Sequence, residues 1–308
     1  SRFDVGRNFA NKYWNANRFA LMNITCPADA VTLDELTPAD QWMLNKVQLS
    51  IAKMNAALTQ YQFNTVAETM YDLLWREFCD WYLEAIKPTI KDSPAQQRVL
   101  DIVLDAICRM LHPICPFVTE AIWPHVHSIP SGSIEGITLP TCELVANAQW
   151  PSLVGISLDQ AEIASFEQTR ELVTAIRTAR SSQNVKPNRK IVLLANGKIE
   201  SLATKHAVVL SSLAGLSEIA HLVEKDSGFA LVFDGETILL ANMFDEQDVA
   251  ANTEKLREEI TALEKKVAGF KARLSTESYV NNAPVHVVQE TRDMLAKVEK
   301  DLASAKAS

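Results

Sequence analysis

Leu256, Ile260, Leu263, Val267, Phe270 and Leu274 recur at spacings of 4, 3, 4, 3 and 4 residues. A helix that turns every 3.6 residues gathers such a series onto one narrow apolar seam and leaves the charged residues outside it. Ser275 to Pro284 interrupts the pattern with Asn281, Asn282 and Pro284. A second seam then runs through Val288, Thr291, Leu295, Val298, Leu302 and Ala305 at spacings of 3, 4, 3, 4 and 3. Two matched seams joined by a short break predict an antiparallel coiled-coil hairpin over residues 249–308. A parallel coiled coil between two chains is the alternative. The break and the matched lengths favour closure within one chain.

The opening 150 residues have a different texture. All six tryptophans, Trp14, Trp42, Trp75, Trp81, Trp123 and Trp150, fall there. Apolar residues recur at steps of three and four through Phe3–Met22, Asp40–Leu58, Phe63–Ile86, Ser93–Leu111 and Phe117–Val126, which predicts a helical bundle. Ser93 is a plausible N-cap, with Pro94 at the first helical position. Ser128 to Leu158 carries Pro130, Gly132, Gly136, Pro140 and Pro151 and reads as loop and linker.

Residues 151–248 read as a small α/β domain. A helix over Ile163–Arg180 leads into a polar segment, Ser181–Arg189. Short β-type runs follow at Lys190–Leu194, Ile219–Val223, Phe229–Phe233 and Thr237–Leu240, with a helix near Ile199–Leu213 between them. Asp234-Gly235 suits the type I′ turn of a β-hairpin. The expected fold class is therefore mainly α: a helical bundle (1–150), a small α/β domain (151–248) and a helical hairpin (249–308).

Charge separates these regions. The whole chain of 308 residues has a formal net charge of −8. Residues 1–150 hold 11 basic and 16 acidic side chains, residues 151–248 hold 9 and 13, and residues 249–308 hold 10 and 9. The acid lies in the body, so a general basic coat for DNA is excluded. The first 25 residues differ, with Arg2, Arg7, Lys12 and Arg18 against Asp4 alone. On a helix Arg7, Asn11, Asn15 (or Lys12) and Arg18 fall near one face, beside an apolar face of Phe9, Tyr13, Ala16 and Ala20. Arginine reaches phosphates or stacks on bases, and an asparagine amide can donate and accept at a base edge, so this stripe suits nucleic acid. A solvated helix face with incidental arginines is the plainer reading.

Other features exclude chemistry. Nine glycines include neither G-x-G-x-x-G nor G-x-x-x-x-G-K-[ST], so no phosphate loop is expected. Five cysteines without a C-x-x-C pair give no zinc site, and they fit a reducing, cytoplasmic setting. His125 and His127, two apart, do not share a helical face, and no nucleophile is spaced to pair with His112. No signal pattern and no apolar run of about 18 residues is present, so no membrane association is expected. Trp75, Phe78, Trp81 and Tyr82 read as core rather than a base-stacking platform. Ser181–Arg189 is either an RNA contact or a simple loop.

Three ordered motifs carry a resemblance. Gly6-Arg7-Asn8-Phe9-Ala10-Asn11-Lys12-Tyr13-Trp14-Asn15-Ala16-Asn17-Arg18-Phe19 resembles the helix that opens the anticodon-binding bundle in the valine, isoleucine and leucine branch of class I aminoacyl-tRNA synthetases. Tyr71–Glu84 and Leu111–Trp123 resemble two further segments of that bundle. The turn Tyr279-Val280-Asn281-Asn282-Ala283-Pro284 with Val287-Val288 resembles the C-terminal arm of the valyl family. The isoleucine branch usually ends in a cysteine-bearing zinc region, and the leucine branch lacks the arm.

The resemblance implies tRNA, in its valine isoacceptors, as partner. Arg7, Asn11, Lys12, Asn15, Arg18 and Phe19 would then face the anticodon loop. Lys265, Lys266, Lys271, Arg273 and Arg292 would meet phosphates at the tRNA corner, positioning the RNA without reading it. Neither H-x-G-H nor K-M-S-K-S occurs in the sequence. The chain is therefore expected to be a monomeric, non-catalytic C-terminal portion with no metal or cofactor of its own. ATP and Mg would belong to a catalytic domain elsewhere. A free-standing interaction module that docks a protein partner through the hairpin is the alternative.

Overall fold

The computed structural model describes residues 2–137, 139–153, 156–244, 246–275, 288–295 and 297–298. They fall into two compact units, Ser1–Ala241 and Asn242–Ser308.

In the first unit, helix α1 spans Arg2–Asn23, α2 Pro38–Thr59, α3 Phe63–Tyr71, α4 Leu83–Ile86, α5 Pro94–Leu111 and α6 Pro116–Val126. A wider π-helical stretch, Asp72–Tyr82, joins α3 to α4, so the single helix expected over 63–86 is continuous but changes pitch midway. The predicted start signals operate. Pro94 opens α5 and the Ser93 hydroxyl accepts the Gln96 N–H, satisfying a donor that the first turn leaves free. At α2, Thr37 and Asp40 form a reciprocal capping box. The other oxygen of Asp40 accepts the Tyr82 hydroxyl at 2.7 Å, which ties the start of α2 to the π-helical stretch.

Trp42, Met43, Leu44, Val47 and Met54 of α2 are buried, as are Leu100, Val103, Leu104, Ile107 and Leu111 of α5. In α2 the buried Trp42, Leu44, Val47, Ile51 and Met54 follow the series read from the sequence, whereas α5 is buried on every side from Gln96 to Leu111 except at Asp101. The loop-rich stretch after α6 is held against the bundle. Ile134, Ile137, Val145 and Leu153 are buried, and Ser133–Ile134 pairs in parallel with Ala30–Val31 as a two-stranded ribbon, β2 with β1.

The texture change at 150/151 falls inside this unit. Helix α7, Gln160–Ser182, packs along α2. Phe166 lies 5.1 Å from Trp42 ring to ring, and the Trp42 indole N–H donates to Glu167 at 2.8 Å. Beyond it stand β3 (Ile191–Ala195), α8 (Gly197–Lys205), α9 (Ala207–Leu213), β4 (Leu216–His221), β5 (Phe229–Phe233) and β6 (Glu236–Ala241). The sheet order is β4-β3-β6-β5. The β3–β4 pair is parallel, crossing over through α8 and α9, and the other two pairs are antiparallel. Asp234 and Gly235 have φ of +48° and +77°, the left-handed pair that a type I′ turn requires.

The second unit contains α10, Glu246–Ser275, and a helical stretch over 288–295. Along α10, Val267 is buried and Ile260, Leu263, Phe270 and Leu274 are half-buried, while most residues between them are exposed. On the second helix Val288 and Thr291 are buried and Leu295 half-buried. Burial thus follows both seams wherever side chains are described. The turn motif Tyr279–Pro284, the side chain of Leu256, and Leu302 and Ala305 lie outside the described residues.

Candidate nucleic-acid interface

Helix α1 has two faces because its apolar residues recur at steps of three and four. Tyr13, Ala16 and Ala20 are buried against the bundle. On the outer side Arg7, Asn11, Asn15 and Arg18 are exposed, one above another over three turns. The Arg7 guanidinium lies 3.1 Å from Asp4, an exposed pair that holds it weakly. Lys12 and Phe19 are half-buried and engaged by other side chains of the protein. The Lys12 ammonium donates to Asp80 at 2.7 Å and sits 4.7 Å above the Trp75 ring. Phe19 is half-buried against the core, with the Lys87 ammonium 5.4 Å from its ring.

Lys12 caps a ladder of rings. Phe9 stacks on Tyr71 at 5.7 Å and Tyr71 on Trp75 at 5.5 Å, both nearly parallel. This stack locks α1 onto the π-helical stretch and so fixes the direction of the exposed stripe. Phe78 and Tyr82 are buried as expected of core. Trp75 and Trp81 are half-buried instead. Trp81 lies between Arg170 at 4.7 Å and Arg177 at 5.8 Å, on the wall of a cleft of about 760 Å³ that α7 and β5 share with it. Arg170 also meets Glu77, Glu167 and the Trp42 ring. The sequence reading missed it, because apart from Glu167 its partners, Trp42, Glu77 and Trp81, lie far from it in the chain.

Buried arginines organise the loops. Arg109 pairs with Asp105 and donates to the carbonyls of Gln149 and Pro140, pinning the stretch after α6. Arg98 donates to the Ala28 carbonyl at 2.7 Å and to Asp101 at 2.5 Å. Burial outweighs that ion pair and lifts the Asp101 carboxyl to about 6. Arg180 donates to the carbonyls of Ala214, Gly215, Lys186, Pro187 and Arg189, so the polar segment after α7 is a loop wrapped around one guanidinium.

The remaining titratable groups read as structure. Burial pushes the Cys79 and Cys108 thiols up to about 12, far from a reactive thiolate. The His112 ring is 2.8 Å from the Thr119 hydroxyl, which itself donates to the first-turn carbonyls of α6. His206 is buried 2.7 Å from the Ser165 hydroxyl, and burial drops it to about 4. Among the described residues no group of three or more His, Cys, Asp or Glu is arranged to hold a metal ion.

On the second unit Lys265, Lys266, Lys271 and Arg273 of α10 are exposed, as is Arg292 on the following helix. They lie off the buried seams, so the five cations face solvent as phosphate contacts require.

Residues 40–195 match the family described as the anticodon-binding domain of tRNA ligase. Residues 248–308 match the valyl tRNA synthetase tRNA binding arm. The first match begins after α1, so it does not include the exposed stripe. The chain is 35% identical over 309 residues to the valine–tRNA ligase of Geobacter sulfurreducens, covering 95% of this chain and 33% of that protein. It is 32% identical over 306 residues to that of Mycolicibacterium paratuberculosis, covering 98% and 33%. Against the Thermotoga maritima enzyme it is 30% identical over 296 residues, covering 95% and 32%. The chain therefore spans about a third of the length of the curated relatives it matches. With the first match covering just over half of its residues, the chain belongs to the anticodon-binding family of tRNA ligases, and it joins that domain to the tRNA-binding arm of the valyl-tRNA synthetases.

Proposed function

We propose that this chain is the tRNA-recognition portion of a valine–tRNA ligase and binds valine tRNA as a monomer. The bundle takes the anticodon stem-loop and the arm, residues 249–308, leans on the tRNA corner. A separate catalytic domain, supplied with ATP and Mg, then attaches valine. In this reading the protein works in the cytoplasm. The observation that carries the reading is the exposed stripe of Arg7, Asn11, Asn15 and Arg18 on a helix locked to the bundle, in a chain that also ends in a tRNA-binding arm. Buried seam residues on both arm helices, Val267, Val288 and Thr291, support their closing on one another as an antiparallel coiled coil. Lys265, Lys266, Lys271, Arg273 and Arg292 then remain outside for phosphate.

Gel-shift titration with valine tRNA at rising ionic strength tests this. Phosphate recognition makes affinity fall steeply with salt, whereas apolar docking of a protein partner does not depend on it in that way. Replacing Arg7 and Arg18 together by Ala is expected to weaken binding about tenfold or more while the helical circular-dichroism signal stays intact. Unchanged affinity in that folded variant would remove the anticodon assignment from α1.

A further inference from the structure

Strand β5, Phe229–Phe233, is an outer strand of the four-stranded sheet and pairs with β6 on one side only. The two-residue turn Asp234-Gly235 makes Phe233 and Glu236 a hydrogen-bonded pair, and Leu231 with Ile238 and Phe229 with Leu240 follow in the same phase. The N–H and C=O groups of Ala230 and Val232 therefore point away from β6, along the free edge. Natural sheets shield such an edge with charged side chains, proline or a bulge. The opposite edge, β4, carries Glu218 and His221. In β5 every residue is apolar, and its pairing with β6 runs without a bulge. Val232 is 70% exposed, and Ala230 is exposed on the same face.

The order of these residues, Phe-Ala-Leu-Val-Phe, reads nearly the same in both directions. Two copies of the strand laid antiparallel about Leu231 place Phe229 opposite Phe233, Ala230 opposite Val232, and Leu231 opposite itself. Ala230 and Val232 then form hydrogen-bonded pairs, so the outward N–H and C=O groups of both copies satisfy one another. Aromatic residues directly opposite each other add to the pairing. Phe229 and Leu231 also line the cleft that α7 and Trp81 share with β5, so this face of the strand has open space beside it. A helix has no free backbone groups to offer the edge, and RNA would find no cation on β5.

We infer that β5 is a self-pairing edge, through which two copies of this chain join their sheets antiparallel about Leu231. The inference goes beyond the tRNA reading. One chain still takes one tRNA, because the candidate RNA contacts lie on α1 and the arm, and neither forms this edge. One short strand from each copy is at the small end of specific interfaces, so pairing is expected at roughly tens of micromolar and above. At the far lower concentrations of a gel shift the chain remains single. Glu224, Asp226 and Asp234 outnumber Lys225 beside the ends of the strand, so salt should strengthen the pairing, whereas it weakens RNA binding.

Sedimentation velocity on the full chain, from well below to well above that concentration, tests this. The mean mass should climb from one chain toward two. Ala230→Pro removes an edge N–H without touching the β6 ladder, and Val232→Lys supplies the missing edge charge. Each is expected to weaken pairing by about tenfold or more, with tRNA affinity and circular dichroism unchanged. Val208→Lys, at an exposed valine of α9 away from the edge, should pair as well as the unaltered chain. Hydrogen exchange gives a check that needs no variant: the Ala230 and Val232 amides should exchange about tenfold more slowly in concentrated than in dilute solution. A chain that stays single throughout, or that pairs equally well as Ala230→Pro and Val232→Lys, overturns the inference. So do amides already protected in dilute solution, because another segment would then cover the edge. None of these outcomes bears on tRNA binding, and a loss of tRNA binding would leave the pairing result standing.

Discussion

Arg180 is the residue whose loss should be felt furthest from its own position. It is 8% exposed and donates to five carbonyls, three of them, on Ala214, Lys186 and Arg189, within 3.1 Å. Replacement by Met keeps the aliphatic stem but removes the guanidinium donors; the Lys186 and Gly215 carbonyls keep the Arg189 and Ile191 N–H groups, whereas those of Ala214, Pro187 and Arg189 lose the side-chain donor. At about 1 to 1.5 kcal/mol for each of the three short bonds, the loss is about 3 to 4.5 kcal/mol. Gly215 provides an internal check. Its φ is +72°, and a Cβ there would stand 2.5 Å from Arg180 Nη1. Gly215→Ala therefore carries a conformational cost of about 1 kcal/mol and a clash of about 2 kcal/mol. In the Arg180→Met background the clash is relieved and only the conformational part remains, so the double-mutant cycle should show about 2 kcal/mol of coupling. Urea unfolding followed by circular dichroism gives all four free energies. A loss below about 1 kcal/mol for Arg180→Met, or additive effects, would refute the view that this guanidinium holds the loop together.

Gly132→Ala should destabilise the bundle by about 2 to 4 kcal/mol, because its Cβ would lie 2.3 Å from the buried Arg98 guanidinium; thermal melting measures it, and a neutral outcome would mean that Arg98 can move aside. Thr37→Ala breaks the capping box of α2 and should cost about 1 kcal/mol, read from the urea midpoint. Stability against pH should show two opposing contributions between pH 4 and 6.5. Asp101, raised to about 6, binds its proton more tightly when folded, so its contribution is lost as pH rises from 4 to 6. His206, lowered to about 4, is protonated more readily when unfolded, so its contribution is lost as pH falls from 6.5 to 4. Asp101→Asn should therefore make stability climb more steeply with pH across this window, and His206→Gln should flatten it; the opposite pair of slopes in pH-dependent unfolding would contradict both assignments.

Local chemistry was enough to read much of this protein. Helices appear where apolar residues recur at steps of three and four, Ser93 and Pro94 start α5, and Asp234-Gly235 turns the β5–β6 hairpin. These features depend on neighbours within a few residues, and a chain displays such neighbours directly. The seams at Val267, Val288 and Thr291 belong to the same class, since heptad spacing fixes which side chains avoid water. The exposed Arg7, Asn11, Asn15 and Arg18 stripe was legible for the same reason.

Tertiary contact decided the rest. Spacing alone treated Lys12 and Arg18 alike, yet Asp80 and the Trp75 ring, both more than 60 residues away, draw Lys12 inward. Arg98, Arg109 and Arg180 would pass on a sequence for ordinary surface charges. They are buried because carbonyls from distant segments, Ala28 for Arg98, Pro140 and Gln149 for Arg109, and Ala214 and Gly215 for Arg180, join a carboxylate or carbonyls nearby in the chain, and together they offset the lost hydration. Periodicity thus settled which faces exist, and the geometry of distant partners settled which of their polar groups stay exposed to solvent.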